Sequence, residues 1–360
     1  MTVGAVLQGF SFFPRGGSAH VVRYLSAALL QSGWDPRILA GSLGDPGELS
    51  HAATFFAGLP VSAADFTPAL DAWRRGEDPL DQAVPLHASY EDKPDAPDRI
   101  FAAVSPELAV RQVDSWRRLL QELAPLDPQV LHLHHLTPLH DAAEAVFPEV
   151  PVVTHLHGTE LLMLEQIDQF SSAKGIELPA SWRYAGYWVN RLRATAQRSG
   201  RILAVSTDHA ARAVRVLGVP EDRVIVIPNG VDTEHFRRLD FSTRERLALL
   251  RHWLVDDRRG WDENGREGSI RFPRPAPSVG EAFGSVYLEA MSAGLPVVAT
   301  RTGGPPTFLN LDERSPEGWL IPPDDRDALV EVLVTVLRCP NERRARADAA
   351  HTLVRRGYSW

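Results

Sequence analysis

Along the first 230 residues, short apolar runs alternate with longer stretches whose apolar positions recur every three or four residues. Residues 3–8 (VGAVLQ) read as a buried strand, and residues 9–17 as a loop carrying Phe10, Phe12, Phe13, Arg15 and the pair Gly16 and Gly17. A helix is expected from Ser18, taken as its N-cap, through Val21, Val22, Leu25, Leu29 and Leu30 to a stop near Gly33. Residues 37–40 give the next strand. Residues 42–100, rich in Pro, Asp, Gly and His, lose periodicity and are expected to form an irregular, partly ordered insertion. Residues 106–123 form a helix with one apolar stripe, Leu108, Val113, Trp116, Leu119, Leu120 and Leu123. Strands at 130–136 (VLHLHHL) and 152–156 flank a helix at 139–147. One long helix at 161–198, a strand at 202–206, a helix to Leu217 and a strand at 224–227 follow. Such alternation specifies a parallel, doubly wound α/β sheet.

The pattern thins beyond Asn229 and Gly230, a dipeptide that signals a turn. Between Phe236 and Pro277 only residues 244–255 look helical, and the remainder is polar. Residues 277–304 (PSVGEAFGSVYLEAMSAGLPVVATRTGG) then read as loop, helix, turn, strand and Gly-rich loop. Val286, Leu288 and Met291 are expected to face a core, Gly294 to cap the helix in a left-handed conformation, and residues 295–300 to form a buried strand. A strand at 319–323 and a helix at 326–337 complete the reading. A second doubly wound domain needs about three strand–helix units ahead of Glu281, at ~30 residues each. The interval holds fewer than half of them. The expected organisation is therefore an N-terminal domain at 1–230, a hinge and shortened segment at 231–276, and a partial C-terminal domain at 277–360.

Composition narrows the partners. A net charge of -8 supplies no broad cationic face, which argues against nucleic acid. Cys339 is the single cysteine, so no internal disulfide can form, and a reducing compartment suits the chain. The N-terminus has no basic leader region, and no apolar run reaches the length of a membrane span. The expected location is cytoplasmic, with peripheral membrane contact left open.

Candidate chemistry sits in three places. Unpaired N–H groups of Gly284, Ser285 and Val286 at the start of the 285–293 helix would make an anion site, framed by Glu281 before it and Glu289 inside it. Carboxylates accept hydrogen bonds only, so the pair suits a ligand with hydroxyls on both sides of a phosphate. An amphipathic helix with two solvated glutamates has the same spacing. Gly16 and Gly17 would let a ligand approach the backbone, or simply make a tight turn. Histidines 132, 134, 135, 140, 155 and 157 crowd one region, with His132 and His134 on one strand face and His135 on the other. No Asp or Glu joins them at a recognised ligand spacing, so no metal site is expected.

The stretch from Glu281 to Gly304 resembles the donor-binding signature of retaining GT-B glycosyltransferases of the family 4 type. Glu281, Phe283, Gly284, Glu289, Gly294, Pro296, Val297, Val298, Ala299, Gly303 and Gly304 carry the likeness. His157 and Gly158 in HLHGTE, and Asn229, Gly230, Val231, Asp232 and Phe236, add to it. The resemblance implies two Rossmann-like domains facing a cleft. It implies metal-independent sugar transfer with retention from a UDP- or GDP-linked donor, with no further cofactor. Acceptors would be small molecules, lipids or glycans. By the same resemblance, His157 and Glu281 lie at the reacting sugar and Glu289 at the ribose. Gly16, Gly17, Asn229, Phe283, Gly284, Ser285 and Val286 would belong to the donor site, and an aromatic group, Trp182, Tyr184, Tyr187 and Trp188, would wall the acceptor side.

The likeness breaks where the family places an Arg and a Lys that neutralise the leaving diphosphate. Lys93 and Lys174 both precede the hinge, and Arg271 or Arg274 would have to substitute. The family's last helix is also expected to be missing. A catalytically impaired, internally deleted paralogue acting as a binding protein is thus the second expectation, and a His-rich metallohydrolase the third.

Overall fold

The structure, a computed structural model, describes residues 4–93, 95–172, 177–252, 256, 281–309 and 316–360. Two compact units divide at Gly230. Unit 1 holds residues 1–230 together with Trp360, and unit 2 holds residues 231–359.

Unit 1 is a parallel sheet covered by helices. Its strands are β1 (Ala5–Phe10), β2 (Asp35–Ser42), β3 (Val61–Asp65), β4 (Val130–His134), β5 (Val152–His155), β6 (Arg201–Ala204) and β7 (Val224–Val226). They form one seven-stranded sheet in the order β3-β2-β1-β4-β5-β6-β7, and each adjacent pair is parallel. The helices are α1 (Gly16–Gln31), α2 (Ala52–Phe55), α3 (Thr67–Arg74), α4 (Pro106–Leu123), α5 (Leu139–Val146), α6 (Thr159–Ser172), α7 (Ala185–Arg198) and α8 (Thr207–Leu217). Helix α4 matches its expected bounds. Ser105 accepts from the Leu108 N–H at its start, and Trp116 and Leu120 are buried. Ser206 caps α8 in the same way.

Three expectations for this unit are corrected. Helix α1 starts at Gly16, not Ser18; its N-cap is Arg15, which supplies no side-chain bond. Residues 42–100 are no loose insertion, because β3 pairs with β2 and forms a sheet edge. Phe56, Phe66, Leu80, Leu86 and Ile100 from that region are fully buried. The expected helix at 161–198 is two helices, α6 and α7. Between them, Tyr184 N–H bonds to Ala102 C=O at 3.0 Å, which spends a backbone donor outside any helix.

Unit 2 contains α9 (Thr243–Arg251), α10 (Ser285–Ser292), β8 (Val298–Thr300), β9 (Trp319–Ile321), α11 (Arg326–Arg338) and α12 (Pro340–Gly357). Among the described residues its sheet is the parallel pair β8–β9. Helix α10 packs on α12, with Leu288 and Met291 buried on one side and Ala347, Ala350 and Val354 on the other. Helix α12 has no counterpart among the elements expected from the sequence. The unit closes on itself: Val231 bridges to Ser359, and Val231 N–H donates to Tyr358 C=O at 2.8 Å. Within unit 1, the Trp360 ring stacks on Tyr24 with centroids 6.4 Å apart. Arg271, Arg274 and Lys174 lie outside the described residues.

Candidate active site

Strand order places a switch between β1 and β4, from which β2 and β3 run one way and β4 to β7 the other. In such sheets the carboxyl ends of the strands at the switch open a crevice that binds ligands. Gly16 and Gly17 follow β1, and the His157–Gly158 turn follows β5. Gly16 has φ 70, which glycine adopts at little cost. A Cβ on Gly16 or Gly17 would meet nothing within 4 Å. Packing therefore does not require the pair, and the first N–H groups of α1 are left with no side-chain cap. Arg15 beside them is ion-paired with the buried Asp98 and lies 4.5 Å from the Phe13 ring centroid.

His157 is held by a group that the sequence reading assigned no role. Glu160, fully buried in the first turn of α6, accepts from the His157 N–H at 2.9 Å and the Gly158 N–H at 3.1 Å. Its Oε2 also lies 3.2 Å from His135 Nδ1. Burial alone would raise the Glu160 carboxyl, but His135 and the surrounding donors outweigh it and hold the group at about 2. His135 sits at φ 61, a left-handed value unusual outside glycine. Strain of this kind at a strand end beside a candidate ligand crevice is where functional sites store it. His157 as a residue is half-buried. Its Nε2 is 3.0 Å from His134 Nδ1, and His134 Nε2 is 2.9 Å from Gln8 Oε1. Burial first, and then the neighbouring imidazoles, push His157 well below the ordinary histidine value, so the ring is neutral at pH 7.

The aromatic group expected to wall this side divides in two. Trp188 is fully buried and donates to Val104 C=O at 2.8 Å, so it belongs to the core. Trp182, with Tyr90, Asp92, Gln166 and Phe170, lines a hollow of about 500 Å³. Asn229 closes the unit; it is buried, and its Oδ1 has no partner among the described residues.

In unit 2, Gly284 takes φ 92 and supplies no side-chain cap to α10, so the N–H groups of Ser285 and Val286 open the helix. The far end is a Schellman motif: Leu295 N–H bonds to Ala290 C=O at 2.9 Å and Gly294 N–H to Met291 C=O at 3.0 Å. Gly294 has the expected left-handed φ, 72. Val286 does not face the core. It is 62% exposed, because two residues of helix set it roughly 200° from Leu288. Phe283 is buried with its ring 5.5 Å from Phe308, so only its backbone can meet a ligand.

Glu281 and Glu289 are both partly exposed. Partial burial, eased by His235, raises the Glu289 carboxyl. Among the described residues no hydrogen bond satisfies that carboxylate. The Glu281 loop is set by backbone contact with the Gly-rich loop, since Gly304 N–H donates to Glu281 C=O at 3.0 Å. A Cβ on Gly303 would stand 1.9 Å from Glu281 O, and one on Gly304 2.3 Å from Phe283 Cα. This close approach is the physical reason for the glycine pair. The site residues thus fall into two groups: Gly16, Gly17, His157 and Asn229 in unit 1, and Glu281, Phe283, Gly284, Ser285, Val286 and Glu289 in unit 2.

Comparison with known proteins gives the class. Residues 15–235 match the sequence profile of Glycosyltransferase Family 4, and residues 275–352 match that of Glycosyl transferases group 1. The sucrose-phosphate synthase structure from Thermosynechococcus elongatus aligns with TM-score 0.61 at 15% identity, over 99% of this chain and 95% of that one. Anabaena HepE in complex with UDP-glucose aligns with TM-score 0.57 at 14% identity, over 99% and 96%. Fold and profiles together define a glycosyltransferase of the GT-B architecture. The chain belongs to Glycosyltransferase Family 4, whose profile spans most of its length.

Sequence relatives are local or distant. Sucrose synthase of Acidithiobacillus caldus is 42% identical over 88 residues, 23% of this chain and 11% of that protein. A GDP-mannose-dependent monoacylated alpha-(1-6)-phosphatidylinositol monomannoside mannosyltransferase of Corynebacterium glutamicum is 27% identical over 146 residues, 39% of this chain and 36% of its own length. The MMP alpha-(1->4)-mannosyltransferase of Mycolicibacterium hassiacum is 23% identical over 400 residues, 96% of this chain and 92% of that enzyme. The chain therefore spans about a tenth to about a third of the first and second of these relatives. No helix among the described residues is long and apolar enough to cross a membrane.

Proposed function

We propose that the protein is a retaining, cytoplasmic glycosyltransferase that takes a UDP- or GDP-linked sugar and needs no metal at the diphosphate. The observation that carries this reading is the α10 start: N–H groups at Gly284, Ser285 and Val286 with no side-chain cap, flanked by Glu281 and by Glu289, whose carboxylate accepts no hydrogen bond among the described residues. The diphosphate binds the helix N-terminus, where the dipole and free donors favour an anion. Glu289 accepts from ribose hydroxyls and Glu281 from the sugar. The bond from the anomeric carbon to the diphosphate breaks as the acceptor oxygen attacks from the same face, and the acceptor proton passes to the leaving phosphate oxygen. The family resemblance assigns the neutral His157 to the reacting sugar, and the hollow beside Trp182 receives part of the acceptor. UDP-glucose in HepE and the GDP-mannose dependence of the Corynebacterium relative support this donor class.

Calorimetry tests it. Glu289→Ala is expected to weaken binding of the preferred nucleotide sugar by ~1.5–3 kcal/mol, the range for hydrogen bonds to a charged group. Unchanged affinity in the folded variant returns Glu289 to an ordinary solvated glutamate.

One observation favours a second reading, an internally deleted paralogue that binds without turnover. The two family matches leave residues 236–274 uncovered, and the alignment of 400 positions to the Mycolicibacterium enzyme is longer than this chain. No lysine follows the hinge to neutralise a leaving diphosphate, a loss that falls on the electrostatic stabilisation that usually dominates catalysis. Product formation from UDP- and GDP-sugars separates the two: robust turnover excludes the binding protein, and binding without product supports it.

A further inference from the structure

We propose that His132, His134 and His155 form a binding site for one divalent transition-metal ion of the zinc type, set in the sheet of unit 1 beneath the His157–Gly158 turn. Strands β4 and β5 pair so that His134 lies directly opposite His155, and alternation brings His132 to the same face. The three rings are stacked, with centroids 4.8, 5.5 and 5.2 Å apart. One potential ligand atom from each lies within 4.8 Å of the others. Tetrahedral zinc with ~2.05 Å bonds needs roughly 3.3 Å between nitrogens, so loading requires small ring rotations.

Ring nitrogens without partners are the second observation. His132 Nε2 and both nitrogens of His155 are enclosed and make no hydrogen bond among the described residues. Enclosed polar atoms of this kind ordinarily find a partner, and an ion supplies one for a lone pair. Gln8 Oε1, 2.9 Å from His134 Nε2, can accept a hydrogen bond from that ring nitrogen and leave Nδ1 as a ligand, as a carbonyl oxygen does for many metal-bound histidines. Burial keeps all three imidazoles neutral, the form that binds metal. His157, whose Nε2 is 3.0 Å from His134 Nδ1, stands where a fourth ligand would come from. Neutral imidazoles without thiolates suit zinc, cobalt, nickel or copper. The ion fixes the ends of β4 and β5; it does not sit at a donor diphosphate, and the inference holds whether or not the chain turns over a sugar.

The test uses the full chain without an added histidine tag, stripped with chelator and dialysed against Zn²⁺ or Co²⁺. Elemental analysis should find about one ion per chain, with Co²⁺ giving visible absorption bands and a higher thermal midpoint. His132→Ala and His155→Ala should lose the ion, while His20→Ala, an exposed histidine of the same unit, should keep it. Substoichiometric metal and no Co²⁺ bands in the unaltered chain overturn the proposal, even if a variant fails to fold. So does an ion retained by both the His132 and His155 variants, because it then lies elsewhere.

Discussion

Unit 1 and the described part of unit 2 reach order by different routes. Unit 1 hydrogen-bonds seven parallel strands and buries Trp188, Phe10, Phe56, Phe66 and Phe101 against them. The described residues of unit 2 pair two three-residue strands and add helix packing and backbone contact. Its α11 has no buried side chain, and Val330, Leu333, Val334 and Leu337 stand exposed at helical spacing. Among the described residues, the two strands of unit 2 leave much of the α11 apolar face exposed. The contrast teaches that the Glu281 loop is held less by the described strands than by Gly303 and Gly304, which press on its backbone from behind.

Acid should split the units most strongly. Burial holds His87 and His209 at about 4 and His140 at about 3. These values lie below the ordinary 6.5, so the unfolded chain binds more protons between those limits. Stability therefore falls as pH drops below 6.5, and the loss levels off near pH 4 for His87 and His209 and near pH 3 for His140. Each such histidine costs about 2 kcal/mol at pH 5, and three together roughly 6, comparable with a domain's whole stability. None of the three lies in unit 2. Thermal unfolding between pH 7 and pH 5 should show a steep loss in the transition that reports Trp188; equal acid sensitivity of both units breaks the comparison.

Gly304→Ala probes the second route. A methyl group 2.3 Å from Phe283 Cα must move one backbone, an overpacking that costs typically 1–3 kcal/mol. Denaturant midpoints should fall and nucleotide-sugar affinity should fall with them, whereas Gly17→Ala, with open space around it, should leave stability within about 0.5 kcal/mol. The smallest effect separates two caps. Ser105→Ala should lower global stability by ~1 kcal/mol, because α4 is docked on the core. Ser242→Ala removes the capping box of α9, yet α9 buries no described side chain, so hydrogen exchange in that helix alone should rise.

Much of unit 1 was legible because its signals are strong: Ser105-Pro106 starts α4, and a stripe every three to four residues continues it. Strand β3 (VSAAD) was not, since its five residues are small and mixed and its place depends on pairing with β2. Helix α12 hid because alanines at 347 and 350 make its buried stripe, among many arginines. Val286 was misplaced by counting apolar residues without their angle. Spacing alone also put His132 and His134 on one face, but only the β4–β5 register could bring His155 to them. Glu160 escaped notice because a first-turn acid is usual in helices; its burial, which makes it an anchor for His157, has no signature in sequence.

The bridge between Val231 and Ser359 has a consequence for how this chain can be altered. The segment 231–359 begins and ends at one point, and the residues that flank it, Gly230 and Trp360, are also neighbours: a Cβ on Gly230 would fall 2.7 Å from the indole. Unit 2 is thus wired as an insertion whose ends are already joined, the arrangement in which modules are most readily excised, exchanged or circularly permuted. A short turn spanning Gly230 and Trp360 should release unit 1 as a free-standing domain, and closing residues 231–359 head to tail should do the same for unit 2.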